Sequence, residues 1–355
     1  MRRVLSKLQN YYDRRRVGKL ARMCNALLGA MQISLEDFLG ITDRLSITKP
    51  DKGYVCRNGL IENSSQVPSV KIFQIYYLPD QLSSLEPAFE PYEWLSNPHP
   101  EYTETLHFVN LYESGRYKEA DYTGIVSSRF GIKTSVAGKD FIQFIKDNPG
   151  YDVYFVNPFP ELGYFWHNIW SQGEFRHPGL TALAQNLFEA TNTQVKIHSL
   201  GRNNHNSLLY CNYWIGNNKF WDAFMGFIIP LFRWIDQEAQ PRQRKPYFRK
   251  VPYAGSGFAM FSFIFERLFS TFMMINKDFT SLGYRFSTDE ILTKCGNTAY
   301  RNFIERYGAF IDRLDQLSLR YDNLGNLSFE ILKDLMALKT NENSIARLRT
   351  ELHKL

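Results

Sequence analysis

From Val70 onward the chain alternates apolar runs of strand length with amphipathic runs of helix length, and this alternation constrains the fold more than any other feature of its 355 residues. VKIFQIYY, residues 70–77, is a continuous apolar and aromatic run that breaks at Leu78-Pro79-Asp80, as a buried strand would. A proline-rich excursion reaches Pro100, and EYTETLHFVNLYESG then predicts a helix. FIQFIKDN predicts a second helix, feeding the strand YDVYFVNP. PGLTALAQNLFEAT is a helix with Pro178 expected in its first turn and Leu180, Leu183 and Leu187 on one face. SLLYCNYWIGN reads as a strand, and NKFWDAFMGFIIPLF as a helix that Pro230 bends or ends. Strands alternating with helices specify an α/β protein.

Boundaries follow from composition. Residues 1–69 form a basic helical extension with a Ser-, Asn-, Gly- and Pro-rich linker over 46–69; residues 70–290 form the main domain; residues 291–355 are helical. In the first 22 residues Arg2, Arg3, Lys7, Arg14, Arg15, Arg16, Lys19 and Arg22 face a single Asp13, interleaved with apolar positions. Such a segment lies on an anionic membrane surface, or is a solvated or partner-docking helix. No nucleic-acid module follows it, so nucleic acid is not an expected partner. The heptad-like tail from Leu327 suits a homo-oligomer contact.

Several chemistries are disfavoured by missing motifs. There is no GxGxxG, Walker A, GxSxG, HExxH or kinase set. The four cysteines, Cys24, Cys56, Cys211 and Cys295, are far apart with no CxxC pair, which indicates neither a zinc site nor a disulfide framework. No apolar h-region marks a signal peptide, and a reducing cytosol is the expected compartment. The longest apolar run, residues 257–275, is interrupted by Glu266 and Arg267, so it predicts a buried helix carrying a polar pair. Aromatics are high at 15%; most should fill core, and Trp166, Trp170, Trp214 and Trp221 are candidates for stacking on a ligand.

The binding site is expected beyond the carboxyl ends of the strands, in the stretch 121–160, where a glycine-punctuated polar segment precedes a strand ending in Asn157-Pro158. Glu266 is the leading candidate base, because a carboxylate in an apolar helix is costly unless paired or used. A structural contact through Arg267 is the competing reading. Glu174 and His177 in SQGEFRHPG, and His167 in YFWHNIW, are further candidates. Arg242, Arg244, Lys245, Arg249 and Lys250 form a basic loop that either meets an anion or is simply solvated.

IFQIYY with its Pro-Asp turn, DYTGIVSSRFGIKT, DVYFVNPFP, NYWIGNNKFWDAF and FIFERLFSTF together resemble bacterial glycosyltransferases that build capsule and O-antigen polysaccharides from nucleotide sugars. The galactofuranosyltransferase modules of O-antigen polymerases are the nearer likeness within that group. The resemblance spans roughly residues 70–275 and rests on the order of weak motifs. It implies a GT-A-like mixed sheet flanked by helices, with helical extensions at both ends. It also implies transfer from a nucleotide-diphosphate sugar, UDP-linked, to a lipid-linked glycan acceptor at the cytoplasmic face of the inner membrane. The rival expectation is a non-catalytic scaffold of a polysaccharide assembly complex. On the enzyme reading Gln74, Tyr76, Asp121, Tyr122, Gly124, Ser127, Ser128, Lys133, Asn157, Pro158 and Arg267 would contact the nucleotide sugar, with Gly124 allowing close backbone approach. Many members hold a divalent cation on an Asp-x-Asp motif, where this chain has Val156-Asn157-Pro158. A lone Asn cannot neutralise a divalent ion, so either a carboxylate from elsewhere completes a metal site or, as expected here, no metal or cofactor is used and cations such as Lys133 and the loop of Arg249 and Lys250 offset the diphosphate.

Overall fold

The computed structural model describes residues 67–253 and 256–318. The basic arm at 1–22, the linker up to residue 66 and the tail from Leu327 lie outside the described residues. The chain divides into two compact units, residues 55–294 and residues 1–54 with 295–355.

The strands are β1 (Val70–Tyr76), β2 (Glu90–Glu93), β3 (Tyr122–Val126), β4 (Val153–Phe155), β5 (Trp214–Asn217), β6 (Lys250–Tyr253), β7 (Ser256–Ala259) and β8 (Ser281–Gly283). The described helices that matter here are α1 (Thr103–Glu113), α2 (Phe130–Thr134), α3 (Gly138–Asp147), α4 (Ile169–Arg176), α5 (Leu180–Ala190), α6 (Asn218–Arg233), α7 (Met260–Glu266), α8 (Leu268–Ile275), α9 (Thr288–Lys294) and α10 (Thr298–Ser318). The last belongs to the second unit.

One six-stranded mixed sheet runs β2-β1-β3-β5-β4-β8, with β6 and β7 forming a separate hairpin. β1 pairs in parallel with β2 and β3, and β4 with β8, while β5 is antiparallel to both of its neighbours. Five strands therefore point the same way, and their carboxyl ends share one edge. The sheet is covered on both faces, which is why β1 buries successive residues from Ile72 to Tyr76, and β4 all three of its own, instead of alternating. Phe73, Ile75, Ile125, Phe155 and Trp214 pack into the larger layer with α1, α4, α5, α6, α7 and α8. Ile72, Val126, Tyr154, Val156 and Ile215 pack into the smaller one with Phe130 of α2 and Phe141 of α3.

The α/β expectation agrees with this architecture, and several local expectations are corrected. The glycine-punctuated polar segment begins with a strand, Tyr122–Val126, in the middle of the sheet. The run 257–275 is β7 followed by two short helices that meet at Arg267. Pro178 precedes α5 instead of opening it, because Gly179 takes the cap in the left-handed region at φ 89°. Pro230 lies inside α6 without ending it. Trp214 and Trp221 are fully buried, with rings 4.6 Å apart and Phe108 stacked 5.0 Å from Trp214. Trp170 is equally buried, its Nε1 donating to the Thr271 hydroxyl. These three tryptophans build core and face no ligand.

Candidate functional site

At the shared carboxyl edge the segments leaving β1, β3 and β4, and the one entering β5, converge with the start of α1 and the end of α7. Three ionisable side chains meet there: Glu104 on α1, Lys133 on α2 and Glu266 at the last position of α7. Lys133 Nζ donates to the Cys211 sulfur at 3.2 Å. The carboxylates act on it through space, with no direct ion pair among the described residues. Burial works against the Lys133 ammonium, while Glu104 and Glu266 favour it. Glu104 is pushed up, first by burial and in small part by Glu266, with Lys133 opposing. The Cys211 thiol rises to about 12, mainly through burial and then Glu266. It is a neutral thiol at physiological pH, so it is a lining group and not a nucleophile.

Backbone strain accompanies this cluster. Cys211 and Asn212 both lie in the left-handed region, at φ 66° and 54°. Thr103, immediately before Glu104, has φ 48°. Asn tolerates that region, whereas Cys and the β-branched Thr do so at a cost of roughly 1–3 kcal/mol each. The turn at Cys211-Asn212 feeds β5 and presents Tyr210, Cys211 and Tyr213 to the cleft.

A second group lies past the end of β4. Asn157 folds onto its own turn, its Oδ1 accepting from Phe159 N at 3.1 Å, and delivers the chain to the helical turn Pro160–Tyr164. Glu161 on that turn is buried, and its Oε2 has no hydrogen-bond partner. Burial pushes its carboxyl up to about 7, weakly opposed by Lys294 on α9. The Tyr210 hydroxyl is likewise buried and unpartnered. Burial raises its phenol, with Glu266 and Glu161 adding to the effect and Arg267 opposing it.

The sequence candidates divide by edge and by partner. Glu266, Lys133 and Ser127 line the carboxyl edge, and half-buried Ser128 follows directly. Ser127 Oγ pairs with the Tyr213 hydroxyl at 2.9 Å. Gln74 is buried beneath them as a tie, its amide donating to Ser127 O while its oxygen accepts from Glu86 N. Tyr76 donates to Glu93 across β1 and β2. Pro158 is buried beside Asn157.

Asp121 and Tyr122 are at the opposite edge, where β3 begins, roughly 17 Å of strand away from Ser127. There Asp121 accepts from Ser69 N and Oγ, and Tyr122 donates to Tyr151 O. They cannot share a ligand with Lys133. Gly124 is needed by the sheet: a Cβ would stand 2.5 Å from Trp214 O on β5, so its close approach is to a neighbouring strand and not to a diphosphate.

Arg267 is almost fully buried and donates to Ile169 O at 3.2 Å, Phe263 O at 2.7 Å and Gln172 Oε1 at 2.7 Å. Its fork ties α4 to the junction of α7 and α8. Glu174 caps α5, accepting from Gly179 N at 2.7 Å and Thr181 N at 2.9 Å. His177 stacks on Phe263 at 3.8 Å and is held neutral, its pKa lowered to about 4 by burial, with Arg267 and Arg176 adding to the effect. His167 gives its carbonyl to Asn203 N. None of these four joins Lys133 at the carboxyl edge. The basic loop is a helical turn, Pro241–Arg244, running into the β6–β7 hairpin; Arg244 donates to the Tyr102 hydroxyl, and Arg249 and Lys250 are exposed.

Glu104, Glu161, Tyr210 and Cys211 were not singled out by sequence. Only Glu161 carried a usable signal, as an acidic residue just past a strand that ends in Asn-Pro. Among the described residues no group of three or more His, Cys, Asp or Glu is placed to hold a metal ion, and no described helix is long and apolar enough to cross a membrane. No family model, curated protein or solved structure matches this chain.

Proposed function

We propose that this protein is a glycosyltransferase of the nucleotide-diphosphate-sugar type, with its site at the carboxyl edge of the sheet. The observation that carries the reading is the half-buried Lys133 held on the strained turn at Cys211, within electrostatic reach of two carboxylates, Glu104 and Glu266. Sugar transfer needs that pairing of charges. An acceptor hydroxyl attacks the anomeric carbon, the bond from that carbon to the diphosphate oxygen breaks, and the hydroxyl proton passes to a carboxylate. Glu266 is the proton acceptor in this scheme, and Lys133 offsets the charge that grows on the departing diphosphate. Glu104 holds Lys133 charged. The mixed α/β sheet agrees with the GT-A-like architecture that the resemblance implies.

The rim of the cleft supports a lipid-linked acceptor. Leu78, Leu82, Leu95 and Ile132 are exposed on the segments that follow β1, β2 and β3, with Ile132 next to Lys133. An apolar rim around a charged cleft suits a ligand that is polar at one end and lipid at the other, at the cytoplasmic face of the inner membrane.

Calorimetric titration with UDP, GDP, CMP and dTDP sugars, in EDTA and then in Mn2+, tests the reading. One nucleotide class should bind in the micromolar range. Glu266→Gln should lower transfer about 10²–10⁴-fold with folding intact. Absence of binding by every class would overturn it, and unchanged turnover in E266Q would remove Glu266 from the mechanism.

A further inference from the structure

We propose that Glu161 and the Tyr210 hydroxyl wall a second, uncharged subsite of the cleft, one that takes the hydroxyl groups of a sugar beside the ionic subsite of Glu104, Lys133 and Glu266. The identity of the ligand rests on the glycosyltransferase reading; the existence of the subsite does not.

Glu161 Oε2 and Tyr210 Oη are both buried without a hydrogen-bond partner among the described residues. Leaving such an atom unpaired costs about 1–3 kcal/mol, and two of them on adjoining segments mark a place built to be completed by another molecule. The nearest cation does not neutralise Glu161. Lys294 gives its Nζ to Thr134 O at 2.9 Å and lies over the Phe286 ring. A buried carboxyl with no counter-ion selects an uncharged ligand.

The pattern of donors and acceptors narrows the class. Ionised, Glu161 only accepts; the phenol both donates and accepts. A ligand carrying adjacent hydroxyls satisfies both. Phe159 meets Tyr210 edge-on at 6.0 Å, supplying an apolar wall of the sort a sugar ring packs against. The two subsites are joined by one turn: Tyr210 packs against Phe159, two residues before Glu161, and its neighbour Cys211 receives Lys133. A ligand with a charged end and a hydroxylated end spans both.

The test uses free hexoses and N-acetylhexosamines at millimolar concentration, with binding observed by ligand-detected NMR on the full chain. At least one should bind the wild type, more tightly as pH rises from 6 to 8, because an ionised carboxylate makes the stronger hydrogen bond. Glu161→Gln should weaken binding about tenfold and abolish the pH dependence, and Tyr210→Phe should weaken it about tenfold with the pH dependence kept. Asp121→Asn, at the other edge, should change neither.

If no free sugar binds, or if E161Q and Y210F bind as the wild type does, the subsite is refuted. Nucleotide-sugar binding that is indifferent to both variants would refute the subsite and leave the glycosyltransferase reading intact. Free-sugar binding that is lost in both variants, with no nucleotide sugar bound, would do the reverse.

Discussion

Around Arg267 the protein buries a guanidinium and gives its donors three protein acceptors; around Glu161 it buries a carboxyl and leaves one oxygen and a neighbouring phenol unpaired. The two regions are alike in polarity and burial. They differ in what completes them. Near Arg267 the accompanying groups are also committed: Glu174 caps α5, Asn168 caps α4 by accepting from Trp170 N and Ser171 N, and even Gly173 is required, since a Cβ there would stand 2.3 Å from Arg267 Nε. Near Lys133 the backbone is strained at Thr103, Cys211 and Asn212, and the lysine donates to the Cys211 sulfur while Glu104 and Glu266 act on it through space. A closed polar network stabilises one packing arrangement, whereas an open one keeps its hydrogen-bonding capacity for a ligand. On this contrast rests the distinction between the scaffold and the proposed site.

The largest effect expected from this contrast is on stability, in the closed region. Arg267→Met should cost about 3–5 kcal/mol in urea unfolding, because carbonyls of Ile169 and Phe263 and the Gln172 amide lose a buried charged donor. A loss under about 1 kcal/mol would make Arg267 available for a ligand and erase the contrast.

In the open region the sign reverses. The folded protein holds the Glu161 proton more tightly than the unfolded chain, with a pKa near 7 against an ordinary carboxylate value. That contribution is fully present at low pH and is lost as pH rises through 7. At pH 8.5 Glu161→Gln should therefore be more stable than the wild type, by up to about 3 kcal/mol, with the gain vanishing near pH 4. A variant less stable than the wild type at pH 8.5 would mean that Glu161 is paired.

Cap removal ranks below these. Glu174→Ala should cost about 1 kcal/mol by thermal unfolding, while transfer activity of the folded protein is unchanged. Lost activity at intact stability would return Glu174 to the site.

The smallest effect belongs to the exposed ionic cluster of Lys71 with Glu90 and Glu119. Lys71→Gln should shift stability by no more than about 0.5 kcal/mol, less in high salt, as exposed pairs do.

β1 and β4 were legible from sequence because burial on both sheet faces leaves a nearly continuous apolar run, and α5 and α6 because their apolar residues recur at helical spacing. The short edge strands β2 and β8, four and three residues long, carry no such run. Their pairing is imposed by neighbours. DYTGIV read as a glycine-punctuated polar segment because its polar ends hide a buried centre, Thr123 to Val126. Within the proposed site, Glu266 stood out as a charge in an apolar run, and Lys133 entered through the resemblance. Glu104 is one acid in an ordinary helix and Cys211 one isolated thiol, and neither type nor spacing marks them. Arg267 stood out by the same criterion as Glu266 and Glu174 by its place beyond the strand that ends at Asn157, and the structure shows both closing hydrogen bonds within the scaffold.

What the amino-acid sequence determined by itself is the α/β class and the order of the main elements. These follow from hydrophobic periodicity, which is local and repeats every two or 3.6 residues. Only the tertiary structure decided which polar residues meet. Lys133 and Cys211 are 78 positions apart in the chain and 3.2 Å apart in space, and whether a buried charge is paired or open depends on such long-range contacts, for which one chain holds no periodic signal.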